Sequence, residues 1–171
     1  GVGGVAQVEA ELARQTPEKP ALIHPIARNV IRAIGSLTDT LGSTEEARMG
    51  SGGRKILSLP GRRVACACVR VPVERCHSMA VSIETERPVT VEDARAAVEG
   101  GQGVALRDEY AAGMYPMTEN TSDQDTVFVG RFRVVATREH GPTLWCCGDQ
   151  LRKGAASNAV QIAEVLAVGR K

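Results

Sequence analysis

Two strand-like runs follow each other closely in the middle of this chain, and their spacing constrains the fold more than any other feature. Residues 64–73 are nearly all small or β-branched, which predicts a strand buried on both faces. Residues 77–86 alternate between apolar and polar side chains, which predicts a second, half-buried strand. Only a short turn around Pro72 separates the runs, whereas a parallel pair needs a crossover of about a dozen residues or more. Close spacing of this kind, which recurs at other predicted strand pairs, favours a mainly antiparallel sheet over a doubly wound parallel one.

Helical and strand-like patterns are mixed irregularly along the rest of the chain. Thr44 and Thr90 each precede acidic residues, as the N-cap of a helix does, although Gly52 and Gly53 interrupt the first of these patterns. The predicted helices cover residues 3–15, 44–57, 90–98 and 151–168, and the predicted strands cover residues 64–73, 77–86, 103–107, 127–136 and 143–147. The pattern predicts an α+β fold, with a mainly antiparallel mixed sheet and flanking helices. We expect residues 1–150 to form one domain and residues 151–171 to form a C-terminal helix.

Charge and cysteine content argue against several classes of protein. The formal net charge of +1 gives no indication of a nucleic-acid partner, and no apolar stretch is long enough for a membrane-spanning helix. The five cysteines are an odd number and the sequence shows no secretory signal, so we expect a reducing, cytoplasmic compartment. One residue separates Cys66 from Cys68, which is unlike the spacing of structural zinc sites, so no metal site is expected.

An arginine and a histidine in the two runs are the first candidates for chemistry. Arg70 lies within the apolar run 64–73, where a charged group needs a partner, and a structural ion pair is the simplest interpretation. His77 begins the next predicted strand and could equally be a buried histidine of the core. Together they indicate something more specific, because a guanidinium binds a carboxylate through two parallel bonds and an imidazole transfers protons near neutral pH. A cleft that held both side chains would suit a small carboxylate substrate.

The segment around this pair resembles part of a known enzyme family. The stretch Arg-Val-Pro-Val-x-Arg-x-His-Ser, which begins at Arg70, is similar to a signature of the aspartate-semialdehyde dehydrogenase family. Further similar stretches occur in order at residues 24–31, 44–46, 54–60, 80–88, 127–131, 144–145 and 149–164. The resemblance covers the whole chain and implies the C-terminal half of such an enzyme, the half that binds substrate and forms a homodimer.

The resemblance implies roles in the reduction of β-aspartyl phosphate to aspartate semialdehyde. Arg70 would bind the α-carboxylate of the substrate, and His77 would be the general acid/base. Glu45 would pair with the substrate amino group. Arg48 occupies a position where the family usually has a phosphate-binding lysine, and an arginine binds phosphate at least as specifically. From the pattern alone, Glu45 and Arg48 would simply be a solvated helix end.

The resemblance also implies NADP as the cofactor, shared with a nucleotide-binding half that this sequence does not contain. Gln150 falls at a position that touches the nicotinamide cofactor in the family, and Gly1 belongs to the end of a glycine loop that lies against it. The helix predicted at residues 151–168 would pack onto the nucleotide-binding domain. No G-x-G-x-x-G fingerprint follows a predicted strand in this sequence.

The nucleophilic cysteine of the family would lie in that other half, so we expect the chain alone to be inactive. Cys76 adjoins His77, but adjacent residues on a strand point to opposite faces, and Cys76 is not expected to be the nucleophile. Two other interpretations stay open: a non-catalytic dimerisation or interaction module derived from the same fold, and a related reductase of the N-acetyl-glutamyl-phosphate type. A pure scaffold would have no need of Arg70, His77 and Glu45, which favours the enzyme.

Overall fold

The computed structural model describes residues 2–40, 42–136 and 139–169. The chain forms two compact units, Gly1–Glu74 (the first unit) and Arg75–Lys171 (the second unit). The helices are α1 (Val2–Leu12), α2 (Thr44–Ile56), α3 (Val91–Glu99) and α4 (Ser157–Val168), and the strands are β1 (His77–Ser82), β2 (Val104–Leu106), β3 (Val127–Val134) and β4 (Pro142–Gly148). All four strands therefore belong to the second unit.

Helix α2 is continuous, although the glycines within it predicted an interruption. Its N-cap is Ser43, and the prediction of Thr44 was wrong by one residue. Ser43 and Glu46 form a capping box: the Ser43 N–H donates to Glu46 Oε2 at 2.7 Å, and the Glu46 N–H donates to Ser43 Oγ at 3.3 Å. Acidic residues in its first turn and basic residues in its last turn favour the helix dipole. These end contacts offset the cost of its glycines, about 1 kcal/mol each.

Residues 64–73 do not form a strand in the described part of the chain, so that prediction was wrong. The segment has no regular secondary structure, and among its residues only Arg70 forms a β-bridge with another backbone segment. The Arg70 N–H donates to the Ile31 carbonyl at 2.8 Å, and the Ile31 N–H donates to the Arg70 carbonyl at 3.0 Å. The valines of the segment are 41–46% exposed, at Val64, Val69, Val71 and Val73. A β-branched run predicts a pleated, half-buried surface only where a partner strand covers it.

The second unit is a four-stranded sheet in the order β1-β4-β3-β2. Strands β1 and β3 both pair with β4 in antiparallel fashion, and β2 pairs with β3 in parallel. With the helices that accompany it, this sheet confirms the predicted α+β fold and the mainly antiparallel, mixed sheet. Strand β1 is an edge strand, and its first residue, His77, lies opposite Gly148 at the end of β4.

The core of the second unit lies between this sheet and α3. Val129, Phe132 and Cys146 form its buried centre, and α3 contributes apolar side chains to it. Thr90 caps α3 with a capping box, as predicted. The register of β3 against β4 shifts beyond Gly130. A Cβ at Gly130 would lie 2.1 Å from the Arg107 carbonyl oxygen. Only glycine therefore fits where β3 approaches the backbone that follows β2.

The C-terminal helix begins with a π-helical turn, Arg152–Ala156, before it continues as α4. The apolar side chains of α4 are largely exposed, at Val160, Ile162, Val165, Leu166 and Val168. Packing of this helix on a nucleotide-binding domain, and the division of the chain at residue 150, stay predictions. None of the helices in the described ranges has the length and hydropathy to cross a membrane.

Candidate functional site

His77 is at the end of the sheet, where its imidazole is exposed to solvent. The alternative interpretation, a buried histidine of the core, is therefore wrong. Its backbone is fixed by the ladder to β4, since it is the first residue of β1 and faces Gly148. The backbone of His77 is therefore held in place, while its imidazole is open to a ligand.

Gln150 lies at the same end of the sheet as His77, because it follows β4, the strand that pairs with β1. It follows the end of β4 by two residues, and its Oε1 accepts the backbone N–H of Cys76 at 2.6 Å. Cys76 immediately precedes His77 and has a φ of 74°, a left-handed conformation that non-glycine residues seldom adopt. The structure therefore brings together two of the predicted site residues, His77 and Gln150, which lie far apart in the sequence.

Three of the five cysteines, Cys68, Cys76 and Cys146, are poor nucleophiles in this structure. Cys76 is buried, its Sγ lies 3.4 Å from Ser122 Oγ, and burial raises the pKa of its thiol. Burial also raises the pKa of the Cys68 and Cys146 thiols. A raised pKa keeps a thiol protonated and unreactive. Across the described ranges, no group of three or more His, Cys, Asp or Glu side chains is arranged to bind a metal ion.

Sequence reasoning missed the residue that organises this end of the sheet, Asp149. Its carboxylate is fully buried and accepts the backbone N–H groups of Asp123 and Leu151, each at 2.8 Å, and of Arg152 at 3.2 Å. Arg75 spans this group, with Nε 2.8 Å from Asp149 Oδ2 and a terminal nitrogen 2.8 Å from Asp123 Oδ1. Both residues adjoin predicted site residues, since Arg75 lies two residues before His77 and Asp149 directly precedes Gln150, but the sequence alone does not predict that they pair.

The environment keeps this buried carboxylate ionised. Burial is the largest single influence on Asp149 and raises its pKa. The N–H groups of Asp123, Leu151 and Arg152, together with the charge of Arg75, outweigh burial, so the pKa of Asp149 lies below its ordinary value. The buried negative charge is thus fully partnered, as a stable site requires.

A second, more exposed carboxylate lies in the same loop region. Asp125 accepts Arg152 Nε at 2.9 Å and its terminal nitrogen at 2.6 Å, and it also accepts the Ser157 hydroxyl. The hydrogen bonds from Arg152 are the main reason why the pKa of Asp125 is lowered to about 2. This pair ties the π-helical turn to residues 121–126 without touching the backbone around His77.

In the first unit, Glu45 and Arg48 form the i,i+3 pair that a helix predicts. Arg48 Nη1 lies 3.7 Å from Glu45 Oε2, and the two side chains are 78% and 41% exposed, respectively. The interpretation as a solvated helix end therefore holds, and the same exposure leaves both charges open to a ligand. Neither charge is buried or committed to the core, so their role in substrate binding stays a prediction.

Arg70 is exposed, and its guanidinium has no carboxylate within ion-pair distance among the described residues. The alternative of a structural ion pair is therefore wrong for this part of the chain. Arg70 belongs to the first unit and His77 to the second, and their convergence on one hollow stays a prediction. Gly1, the other predicted cofactor contact, lies outside the described residues.

Comparisons with known proteins point in one direction. A family model described as "Semialdehyde dehydrogenase, dimerisation domain" matches residues 2–153. An aspartate-semialdehyde dehydrogenase from Synechocystis is 39% identical over 172 residues, covering 97% of this chain and 51% of that protein. The chain thus spans about half the length of the curated relatives it matches, consistent with their C-terminal half.

Solved structures extend the similarity to the fold. Aspartate semialdehyde dehydrogenase II from Vibrio cholerae, complexed with ASA, superimposes with a TM-score of 0.88 at 34% identity, over 96% of this chain and 48% of that one. The enzyme from Candida albicans, solved with NADP, has a TM-score of 0.68 at 22% identity, over 84% of this chain and 45% of that one. The second likeness supports the fold alone.

Proposed function

Because this chain belongs to the semialdehyde dehydrogenase dimerisation-domain family, we propose that it supplies the substrate-binding and proton-transfer half of an aspartate-semialdehyde dehydrogenase. The whole enzyme would reduce β-aspartyl phosphate to aspartate semialdehyde with NADPH. Relatives of about twice the length carry this name, and this chain covers about half of each.

One observation carries the proposal: an exposed histidine begins a paired strand, beside a buried carboxylate that is held by three backbone N–H groups and by the charge of Arg75. His77 begins β1, and the backbone N–H of Cys76, the residue before His77, donates a hydrogen bond to Gln150 Oε1 at 2.6 Å. A general acid/base needs solvent or substrate access and a fixed backbone, and His77 has both. Histidine is also the side chain that most often serves as a general acid/base in enzymes.

The acid/base step would take place at the imidazole of His77. The imidazole would accept the proton of a cysteine thiol as the sulfur attacks the acyl phosphate carbonyl, phosphate would leave, and a thioester would form. The same imidazole would then return the proton during turnover. Arg70 would hold the α-carboxylate through two parallel bonds, and Glu45 would pair with the amino group.

Arg48 would bind the phosphate that leaves. Its side chain is 78% exposed and its only carboxylate within ion-pair distance in the described ranges is Glu45, at 3.7 Å. An exposed guanidinium of this kind can exchange a loosely held carboxylate for a phosphate dianion, since both bind to the same planar fork.

The donor set of Gln150 fits a nicotinamide cofactor. Its Oε1 is occupied by Cys76 N–H, which leaves the amide nitrogen as the group that can donate. Such a donor suits the carboxamide of a nicotinamide. NADPH supplies the hydride when it is bound, and its remaining contacts would come from the nucleotide-binding half.

The nucleophilic cysteine would also come from that other half. Cys76 is the cysteine nearest to His77 in sequence, but it is 7% exposed and burial raises the pKa of its thiol. A thiol that attacks an acyl phosphate needs the opposite environment, in which the thiolate is favoured.

The test joins this chain to the first half of the Synechocystis relative and measures NADPH formation from aspartate semialdehyde, phosphate and NADP. We expect His77→Asn to lower kcat by about 10²–10⁴-fold, which is the usual contribution of a general acid/base. Arg70→Lys should raise KM for aspartate semialdehyde, because one ammonium replaces a bidentate fork. His140→Asn is the matched control and should leave turnover unchanged. Full turnover by the His77→Asn protein would remove the proposed role.

A second candidate is a non-catalytic dimerisation module, which the description of the family model favours. The exposed valines of residues 64–73 fit a surface that a second copy would cover. We propose a homodimer under either function, and sedimentation of the chain alone measures it. The activity assay of the joined protein distinguishes the two functions, because a pure dimerisation module would form dimers but produce no NADPH.

A further inference from the structure

We infer that Asp149 is a positioning residue for His77, acting through Arg75 and Gln150. The inference rests on the proposed function of His77 as the acid/base and adds a residue to it. No contact between Asp149 and a substrate is involved, since its carboxylate is fully buried.

The first step is the link from Asp149 to the residues before His77. Arg75, Cys76 and His77 are consecutive, and two of them are held from the end of β4. The Arg75 side chain lies 2.8 Å from Asp149, and the Cys76 N–H donates to Gln150 at 2.6 Å. Strand β1 therefore starts from a backbone that is fixed at successive residues.

The second step is the conformation that these contacts maintain. Cys76 has a φ of 74° although it carries a side chain. Such a backbone persists only where its surroundings determine it. The contacts of Arg75 and Gln150 are the surroundings on either side of this peptide, and a relaxation of Cys76 would rotate the peptide that leads into His77.

The third step is the link from Asp149 to Gln150. The carboxylate accepts the N–H groups of Leu151 at 2.8 Å and Arg152 at 3.2 Å, so it closes the turn in which Gln150 lies. It also accepts the Asp123 N–H at 2.8 Å and thereby holds the loop that supplies the second partner of Arg75. One buried carboxylate thus sets both anchors of the Cys76 peptide.

The size of the expected effect follows from geometry. A displacement of about 1 Å at an acid/base can lower the rate by about 100-fold, because proton transfer depends steeply on distance and alignment. Substrate affinity should change little, because the proposed substrate contacts, Arg70 and Glu45, are not part of the Asp149 network. A mainly structural role would instead reduce the amount of folded protein and leave both constants of the folded fraction unchanged.

The first measurement uses the chain by itself. In NMR spectra of Asp149→Asn, we expect faster hydrogen exchange of the Cys76 amide and displaced imidazole resonances of His77. Asp125→Asn is the matched control, since it also breaks a carboxylate–arginine pair of this loop but leaves the Cys76 peptide untouched. Arg75→Gln provides a second route to the same result if Asp149→Asn does not fold. Unchanged Cys76 and His77 signals in the folded variant would overturn the inference.

The second measurement uses the protein joined to the first half of the Synechocystis relative. For Asp149→Asn and for Arg75→Gln, we expect kcat to fall by about tenfold or more and KM to stay within about threefold. The double variant should lose no more than Asp149→Asn alone, because Arg75 acts through its pair with Asp149. Equal kinetics of Asp149→Asn and Asp125→Asn would contradict the inference. If the unmodified joined protein is inactive, the proposed function fails, and the NMR result decides the positioning role by itself.

Discussion

Different interactions stabilise the interior of each of the two units of this chain. Among the described residues of the first unit, the buried apolar ones are Val8 and Ile26, and much of the order of this unit comes from side chains that bind backbone groups. In the second unit, a paired sheet encloses a cluster around Val129, Phe132 and Cys146. The predicted substrate contacts belong to the first unit and the predicted acid/base to the second. Under the proposed function, proton transfer would take place on a unit held by packing, and substrate recognition on a unit held largely by polar contacts.

Two carboxylates illustrate how the first unit is organised. Glu11 accepts the backbone N–H groups of Ile26 at 2.8 Å and Ala27 at 2.7 Å. Glu46 accepts the N–H groups of Ser43 at 2.7 Å and Cys68 at 3.0 Å. Each carboxylate therefore ties its helix to a distant segment that has no sheet of its own. Stability of this kind depends on charge, whereas that of the second unit depends mainly on packing.

The largest expected effect is the loss of a core side chain in the second unit. Phe132 is 6% exposed and lies at the centre of the cluster. Phe132→Ala should lower the free energy of unfolding by about 3–5 kcal/mol, because it removes buried apolar surface and leaves a cavity. Urea denaturation measures the change. Val134→Ala, on the exposed end of the same strand, should cost less than about 0.5 kcal/mol. A cost below about 1 kcal/mol for Phe132→Ala would mean that packing does not hold this unit.

A glycine-to-alanine exchange should have opposite signs in the two units. At Gly130 the added Cβ would meet the Arg107 carbonyl oxygen at 2.1 Å, and we expect a loss of about 1–3 kcal/mol from forced backbone movement. At Gly52 in α2 nothing lies within 4 Å of the added Cβ, and alanine should stabilise the helix by about 0.5–1 kcal/mol. Thermal denaturation of both variants provides the measurement. A gain at Gly130, or a loss at Gly52, would contradict the packing described for that unit.

The loss of one carboxylate should have a local effect in the first unit. In Glu46→Ala, the Ser43 and Cys68 amides lose the acceptor that now holds them. We expect faster hydrogen exchange at both amides, while amides in β3 and β4 keep their exchange rates. Glu45→Ala is the matched control, since the carboxylate of Glu45 is next to Glu46 in sequence and forms an ion pair only with Arg48 among the described residues. Identical exchange in the two variants would show that Glu46 does not join α2 to the segment at Cys68.

The smallest expected effect is a difference in acid sensitivity. The N–H groups of Ala27 and Ser43 are the largest causes that lower the pKa of Glu11 and Glu46 below 4.5. A lowered folded-state pKa means that stabilisation is present above 4.5 and is lost as the pH falls through the folded value. Asp125 in the second unit, with a pKa of about 2, should keep its bonds to Arg152 until near pH 2. Amide shifts at Ala27 and Ser43 should therefore change as the pH falls below 4.5, and those around Asp125 should change near pH 2. The reverse order would be inconsistent with these assignments.

Much of the second unit could be predicted from the sequence because its signals are local. Alternation located β1, and Thr90 located the start of α3. The run at residues 64–73 misled the prediction, since β-branched side chains alone do not provide a partner strand. The cap of α2 was misplaced by one residue because Ser43 and Thr44 are both suitable caps, and only geometry separates them.

The candidate site was less accessible to sequence reasoning. His77 was singled out with Arg70 from the pattern and Gln150 through a resemblance, and only the pairing of β1 with β4 explains why they meet. Asp149 was missed because a single aspartate in a loop is an ordinary solvated residue by its pattern. Its burial follows from N–H groups that converge on it from a separate loop and a helical turn, and no local spacing predicts that convergence.

The proposed function requires that Arg70 and His77 bind one substrate molecule in the whole enzyme. The most direct test is a crystal structure of the joined protein with aspartate semialdehyde or an unreactive analogue bound. We expect the Arg70 guanidinium about 3 Å from the α-carboxylate of the ligand. We expect the His77 imidazole about 3 Å from an atom bonded to the reacting carbon of the same ligand. A ligand bound elsewhere, or two side chains directed into separate environments, would contradict it and leave a dimerisation domain without a catalytic role.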